Sequence, residues 1–274
     1  MLTDRIDAEL LAACPALRVV SSCSVGVDHV DLAAASARGI PVGHTPGVLV
    51  ETTADLAFAL LLAAARRVVE ADRFVRDGGW TPDRRWEPDL LLGAEVQGAT
   101  LGIVGLGAIG QAVARRARGF GMRVLGWTRS GRQVDGVEAA SLHGLLAQSD
   151  FVSIHVAHGP ETQGLLDADA LARMKPGAIL VNTARGGIVD ERALAVSLST
   201  GHLAGAALDV FEREPVDPLS PLLALPNVVA TPHIGSASEA TRARMAELAV
   251  DNLLAGLEGR PLPHCANPEV GPRP

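Results

Sequence analysis

The chain is poor in aromatic residues, which make up 3% of its 274 positions. A core with so few large rings must be assembled from Ala, Val and Leu, as layered α/β proteins do. Cysteine is also scarce: Cys14, Cys23 and Cys265 are odd in number, widely spaced and without a CxxC pair. That pattern excludes a disulfide framework and a cysteine zinc site, and it suits reduced thiols in a cytosol. The longest apolar run, "LAFALLLAAA" at 56–65, is too short for a bilayer and ends at Arg66 and Arg67. The opening "MLTDRIDAELL" lacks the basic-then-apolar pattern of a signal peptide. Positive charge is in deficit, and a net charge of −7 with a pI near 5.6 argues against a general binder of phosphate backbones. The expectation is a soluble cytoplasmic protein with no nucleic acid, membrane or metal to bind.

What is present reads as a folded α/β protein. Hydrophobic residues reach 48% and charged ones 20%, and the length suffices for one large or two modest domains. "LRVVSSCSVG" (17–26) predicts a strand entering a loop, and "DLAAASARG" (31–39) a short helix stopped by Gly39. A helix is expected from Glu51 to Ala71, so apolar in its first turns that it must be buried on most sides. Residues 76–98, with Trp80 and Trp86, show no periodicity and predict a loop or arm. From Thr100 onward, apolar runs such as "TLGIVGLG", "FVSIHVA", "AILVNTA" and "NVVAT" alternate with helical segments. Such alternation implies a doubly wound parallel sheet covered on both faces. The last helix, about 236–256, opens with Ser236 and Glu239 at capping-box spacing and would bury Met245, Leu248 and Leu253.

Gly105, Gly107 and Gly110 form a GxGxxG turn, with Ala108 and Ile109 inside it, between a strand and a helix. Such glycines permit a tight turn, close approach of a pyrophosphate, and close helix–strand packing, while the helix start favours negative charge. After the next strand, where an acid would bind a ribose 2′-OH, stands Thr128, followed by Arg129, Ser130 and Arg132. An acid there would repel a 2′-phosphate, whereas these residues offer it charge-assisted donors. NADP(H) is therefore the preferred cofactor, with NAD(H) possible if the arginines are merely solvated.

Three polar residues fall on different loops at the C-terminal edge of the predicted sheet: Arg185 in "NTARGG", Glu214 in "FEREP" and His233 in "TPHIGS". An arginine can grip a carboxylate bidentately, and a histidine can protonate a carbonyl oxygen as hydride arrives at its carbon. A carboxylate beside a histidine favours its imidazolium form.

At this point the sequence resembles the D-isomer-specific 2-hydroxyacid dehydrogenases. The likeness runs in family order through "SVGVDHVDLAAASARGIPVGHTPG", "GLGAIGQAVARR", "MKPGAILVNTARGGIVDERAL", "LDVFEREP" and "NVVATPHIGSA". Within that family it is most similar to the glyoxylate/hydroxypyruvate reductases. The resemblance implies that Arg185 binds the carboxylate of a 2-oxo acid and that His233, partnered by Glu214, is the general acid. It implies amides from Val25 and Gly26 for the substrate, Asp209 at the nicotinamide carboxamide, and Thr45, Thr183, Ala184 and Gly235 near the cofactor. It further implies a site between two domains that close on the cofactor, a homodimer, and a Trp86 that reaches the partner's site and limits substrate size. "VAHGPETQGLL" departs from the family by placing His158-Gly159 where Leu-Thr is usual, and His158 is expected as an exposed loop residue.

The implied fold is α/β: a Rossmann cofactor domain over 48–237 and a smaller flavodoxin-like substrate domain from 1–47, to which 238–274 returns. Relatives carry two further βα units before the point matching Met1, so the substrate domain is expected to be N-terminally incomplete, through a misassigned start or a truncated product. The expected activity is NADPH-preferring reduction of glyoxylate or hydroxypyruvate to D-2-hydroxy acids. Rival expectations are a relative acting on a bulkier oxo acid, a corepressor-like dinucleotide sensor without turnover, and an inactive truncated product.

Overall fold

The computed structural model describes residues 4–271. The chain divides into two compact units: residues up to Thr52 with those from Ser236 onward, and Thr53–Gly235. The elements, in chain order, are α1 (Ala8–Ala13), β1 (Val20–Ser21), α2 (Leu32–Ala37), β2 (Val42–Gly43), α3 (Val50–Ala65), α4 (Val68–Arg76), β3 (Thr100–Val104), α5 (Ala108–Gly119), β4 (Arg123–Trp127) and β5 (Glu138–Ala139). There follow α6 (Leu142–Gln148), β6 (Phe151–Ile154), α7 (Ala168–Ala172), β7 (Ile179–Asn182), α8 (Glu191–Ser199), β8 (Gly205–Leu208), β9 (Val228–Ala230) and α9 (Glu239–Leu257).

In the first unit, Asp7 caps α1 and Asp31 caps α2 by accepting the Leu10 and Ala34 N–H groups at 3.0 and 2.9 Å. Gly39, at φ +65°, turns the chain out of α2. β1 and β2 pair in parallel, and Leu11, Val20, Val30, Ala35, Ile40 and Val42 close a small core. The strand expected over 17–26 is shorter than its sequence suggests. Beyond Ser21 the hydroxyls take over: Ser22 and Ser24 bond each other at 2.6 Å, and Ser24 Oγ donates to the Gly26 carbonyl at 2.7 Å.

The second unit is built on seven parallel strands in the order β5-β4-β3-β6-β7-β8-β9. β6, β7 and β8 are buried at every position, the polar Ser153 and Asn182 included, which is why they read as largely apolar runs. Phe151, Leu145, Leu146, Ile154, Leu166 and Leu171 are among the largest fully buried side chains. The sheet reverses its winding between β3 and β6, and at such a switch point the loops leaving the C-terminal strand ends frame a crevice.

Two expectations are corrected. The helix foreseen from Glu51 to Ala71 breaks after Ala65, and Arg67 sits at φ 51° between α3 and α4, which runs on to Arg76. The break has a tertiary cause: the Ala94 N–H takes the Ala65 carbonyl at 2.8 Å, and Arg67 is held in its left-handed conformation by a two-pronged bond to Glu70. The last helix is capped by Ser238, not Ser236; Ser238 Oγ accepts the Thr241 N–H at 3.2 Å. Met245 and Leu248 are buried as expected, but Leu253 is 39% exposed, and Asn252 takes the inward place. Asn252 bonds the His44 carbonyl and the His264 N–H, both at 2.9 Å, tying α9 into the first unit.

Gly110 shows how tightly α5 sits on the turn before it. A Cβ there would lie 2.0 Å from the Gly105 carbonyl oxygen, which is backbone and cannot swing aside. Gly110→Ala is expected to cost about 1–3 kcal/mol, a fall of several degrees in Tm by differential scanning calorimetry. An unchanged Tm would contradict this packing.

Candidate active site

Six consecutive loops leave the C-terminal ends of β3, β4, β6, β7, β8 and β9, and nearly all the residues picked out by sequence in this unit lie on them. The first three loops enclose a cleft of about 630 Å³ lined by Gly105, Gly107, Thr128, Arg129, Ser130 and Arg132, with Trp127, His155, Val156 and Glu161 among its other walls. Ala108, Ile109 and Gly110 form the first turn of α5 beside it. Gly105 has φ +103°, and a Cβ on it would meet the His155 carbonyl carbon at 2.7 Å, so the protein itself requires glycine there. Gly107 differs: a Cβ on it would meet nothing within 4 Å. No protein atom demands that glycine, and its open backbone at a helix start leaves room for the approach of a diphosphate. Thr183, on the loop after β7, is buried with a hydroxyl that no protein group satisfies, a further polar atom suited to a ligand. These features fit a dinucleotide.

His155 and Glu161 are wall residues that composition did not single out. His155 is the first residue after β6; burial pushes its imidazole down to about 4, so it is neutral, and its Nε2 meets Ser153 Oγ at 2.8 Å. His158 also lines the cleft instead of standing free, with Nε2 2.5 Å from Gln163 Oε1.

The next three loops carry Arg185, Glu214 and His233. His233 Nδ1 donates to Glu214 Oε2 at 2.7 Å, with the two side chains 28% and 30% exposed. The second Glu214 oxygen accepts the Phe211 N–H at 3.0 Å. An ionised carboxylate only accepts, so the Nδ1 proton is fixed and Nε2 is left for chemistry. Burial works to raise the Glu214 carboxyl, but the His233 and Phe211 hydrogen bonds and the attraction of His233 and Arg185 outweigh it and hold the carboxyl below its ordinary range. Arg185 is thus within electrostatic reach of the pair. Its loop is shaped by Asn182, whose Nδ2 donates to the Arg185 carbonyl at 2.9 Å and whose Oδ1 accepts the Ala184 N–H at 3.0 Å.

His233 has φ 54°, a left-handed conformation uncommon outside glycine. Asp209, 1% exposed, holds it there. Its carboxylate accepts Thr231 Oγ1 at 2.6 Å and the Ile234 and Gly235 N–H groups at 2.8 Å each, while its backbone carbonyl takes the His233 N–H at 2.9 Å. This anchoring role was not foreseen from sequence, which assigned Asp209 and Gly235 to the cofactor alone. Asp209, Thr183, Ala184 and Gly235 stand with the loops that carry Arg185, Glu214 and His233 and are not walls of the cleft. Thr45, Val25 and Gly26 lie in the other unit. There Thr45 is fully buried with its hydroxyl unsatisfied, and the Val25 carbonyl meets His44 Nδ1 at 3.0 Å. Trp86 is 86% exposed on the arm after α4. Among the described residues, no cluster of His, Cys, Asp or Glu could hold a metal, and no helix is long and apolar enough to cross a membrane.

A parallel sheet with a glycine turn at its switch point, and a histidine–carboxylate pair with an arginine farther along the same edge, fits a dinucleotide-dependent oxidoreductase. Residues 58–235 match the family model for the NAD-binding domain of D-isomer specific 2-hydroxyacid dehydrogenases. The chain is 55% identical to a glyoxylate reductase of Korarchaeum cryptofilum, over 98% of this chain and 82% of that one. A Thermus thermophilus protein of known crystal structure is 57% identical, with a TM-score of 0.90 over 96% of this chain and 83% of that one. A Sinorhizobium meliloti NADPH-dependent glyoxylate/hydroxypyruvate reductase, solved with NADP and malonate, is 37% identical, with a TM-score of 0.91 over 99% of this chain and 84% of its own. The chain belongs to the D-isomer-specific 2-hydroxyacid dehydrogenase family and is an NAD(P)-dependent oxidoreductase.

The Glu214 carboxyl also gives a stability test. Its folded pKa lies below the ordinary 4.5, so its contribution is fully present above that pH and is lost as pH falls through the lowered value. Melting curves from about pH 6 to pH 3 should show Glu214→Gln losing less Tm on acidification than the parent chain. Parallel losses would contradict the shift.

Proposed function

We propose that the protein reduces small 2-oxo acids, glyoxylate and hydroxypyruvate foremost, to D-2-hydroxy acids, with NADPH preferred over NADH. The observation that carries this reading is the 2.7 Å bond between His233 Nδ1 and Glu214 Oε2, with Arg185 beside it. The names of the similar proteins support the substrate class. Thr128, Arg129, Ser130 and Arg132 on the cleft wall support the cofactor preference.

When bound, the reduced nicotinamide supplies the hydride. Arg185 pairs its guanidinium with the substrate carboxylate and draws electron density toward the carbonyl oxygen. His233 delivers the Nε2 proton to that oxygen, so the carbonyl becomes a hydroxyl without a free alkoxide. Glu214 keeps the imidazole in one tautomer and one orientation throughout, and balances its charge when it carries two protons. In the reverse direction Nε2 takes the proton. The proposal also gives Val25 and Gly26 backbone N–H groups for the substrate, Asp209 and Thr45 contacts to the cofactor, and residues 48–237 the cofactor domain. It includes a homodimer in which Trp86 reaches the partner's site; the exposure of Trp86, Trp80 and Leu92, at 86, 57 and 64%, supports a partner surface over this arm.

The test is spectrophotometric: loss of NADPH and NADH absorbance with hydroxypyruvate and glyoxylate, side by side. The expected result is faster oxidation of NADPH. Arg185→Gln should raise KM for the oxo acid and lower kcat, together reducing kcat/KM by roughly 10²-fold or more, with NADPH affinity held. Folded protein that binds NADPH yet oxidises neither cofactor with either acid would refute the reductase reading.

A further inference from the structure

The two loops that face each other across the cleft are both built turns. After β4, Gly131 N–H donates to the Thr128 carbonyl at 3.2 Å and Arg132 N–H to Thr128 Oγ1 at 2.8 Å. After β6, Thr162 and Gln163 N–H both reach the Gly159 carbonyl at 2.9 Å, Gly159 N–H donates to Thr162 Oγ1 at 2.9 Å, and that hydroxyl donates to the Ala157 carbonyl at 2.8 Å. Glu161 rides on the second turn and forms an ion pair with Arg129 on the first. Among the described residues that line this cleft, Glu161 is the sole acid, and Arg129 and Arg132 are the only side chains of fixed positive charge.

We propose that Glu161 tempers the cofactor selectivity of this protein, narrowing its preference for NADPH over NADH. The proposal rests on the reading that Arg129 receives a 2′-phosphate. The position after β4 that would hold an acid is Thr128, and the carboxylate missing there is supplied instead from the loop after β6. Toward a 2′-phosphate, Glu161 is a competitor: it occupies the Arg129 guanidinium and repels a second anion. Toward an unphosphorylated ribose it is an acceptor that costs nothing to leave in place. Arg129 and Glu161 are 73% and 65% exposed, so an incoming phosphate can reach the pair, and an exposed pair is a weak lock that it can open. The outcome is a protein that takes both dinucleotides, with the lead of NADPH trimmed by its own acid.

The experiment is fluorescence titration of the full chain with NADPH and with NADH, giving two Kd values for the parent, Glu161→Gln, Arg129→Gln and the double variant. Circular dichroism would confirm that each is folded. Glu161→Gln is expected to move the NADPH-to-NADH Kd ratio toward NADPH by about three-fold, and Glu161→Lys by more. In the Arg129→Gln background, Glu161→Gln should move the ratio much less. Arg129→Gln alone should shift the ratio against NADPH by roughly tenfold. If Arg129→Gln shifts the ratio but Glu161→Gln leaves it unchanged, or weakens both cofactors equally, the role of Glu161 is refuted and the phosphate reading stands. If Arg129→Gln weakens both cofactors equally, the phosphate reading fails and this proposal fails with it.

Discussion

The buried carboxylate of Asp209 is the constraint on which the sheet edge carrying His233 depends. A charge 1% exposed is tolerated only when fully bonded, and its three donors all come from the loop that carries His233. Burial raises this carboxyl, and the Thr231, Ile234 and Gly235 bonds pull the other way. Removing any of those donors would leave the remaining charge underpaired, so the loop is fixed as a unit. That fixity is what lets His233 hold a left-handed backbone and meet Glu214 at 2.7 Å.

Around this anchor the sheet distributes labour by position. Loops after β3, β4 and β6 form a wall of glycine and arginine suited to a dinucleotide, and loops after β7, β8 and β9 carry arginine, glutamate and histidine. The register of parallel strands puts all six loops on one edge, so neighbouring strands bring together residues far apart in the chain. Gly105 and Gly110 serve the protein's own packing, whereas Gly107 leaves open space at the head of α5. The same glycine motif thus contains two glycines that the protein's own packing requires and one that no protein atom requires.

Much of this was legible in the sequence, for physical reasons. β6, β7 and β8 are buried on both faces, which forces the largely apolar runs that a sequence reading detects. The glycine turn and Arg185, Glu214 and His233 were legible because strand–loop–helix order fixes which loop ends share an edge. The break at Arg67 was not, because it depends on Ala94 reaching the Ala65 carbonyl from well along the chain. The capping-box spacing to Glu239 pointed to Ser236, and only the observed bond from the Thr241 N–H shows that Ser238 caps α9. The anchoring by Asp209 and the Arg129–Glu161 pair join loops from different strands, and no local spacing encodes such contacts.

The account stands most directly on His233 and Glu214 acting as one acid–base unit. The measurement is kcat/KM for hydroxypyruvate with NADPH in the parent, His233→Ala, Glu214→Gln and the double variant. His233→Ala is expected to lose about 10²–10⁴-fold, Glu214→Gln less, and the double variant no more than His233→Ala alone. Losses that multiply, or near-normal turnover in His233→Ala, would contradict it.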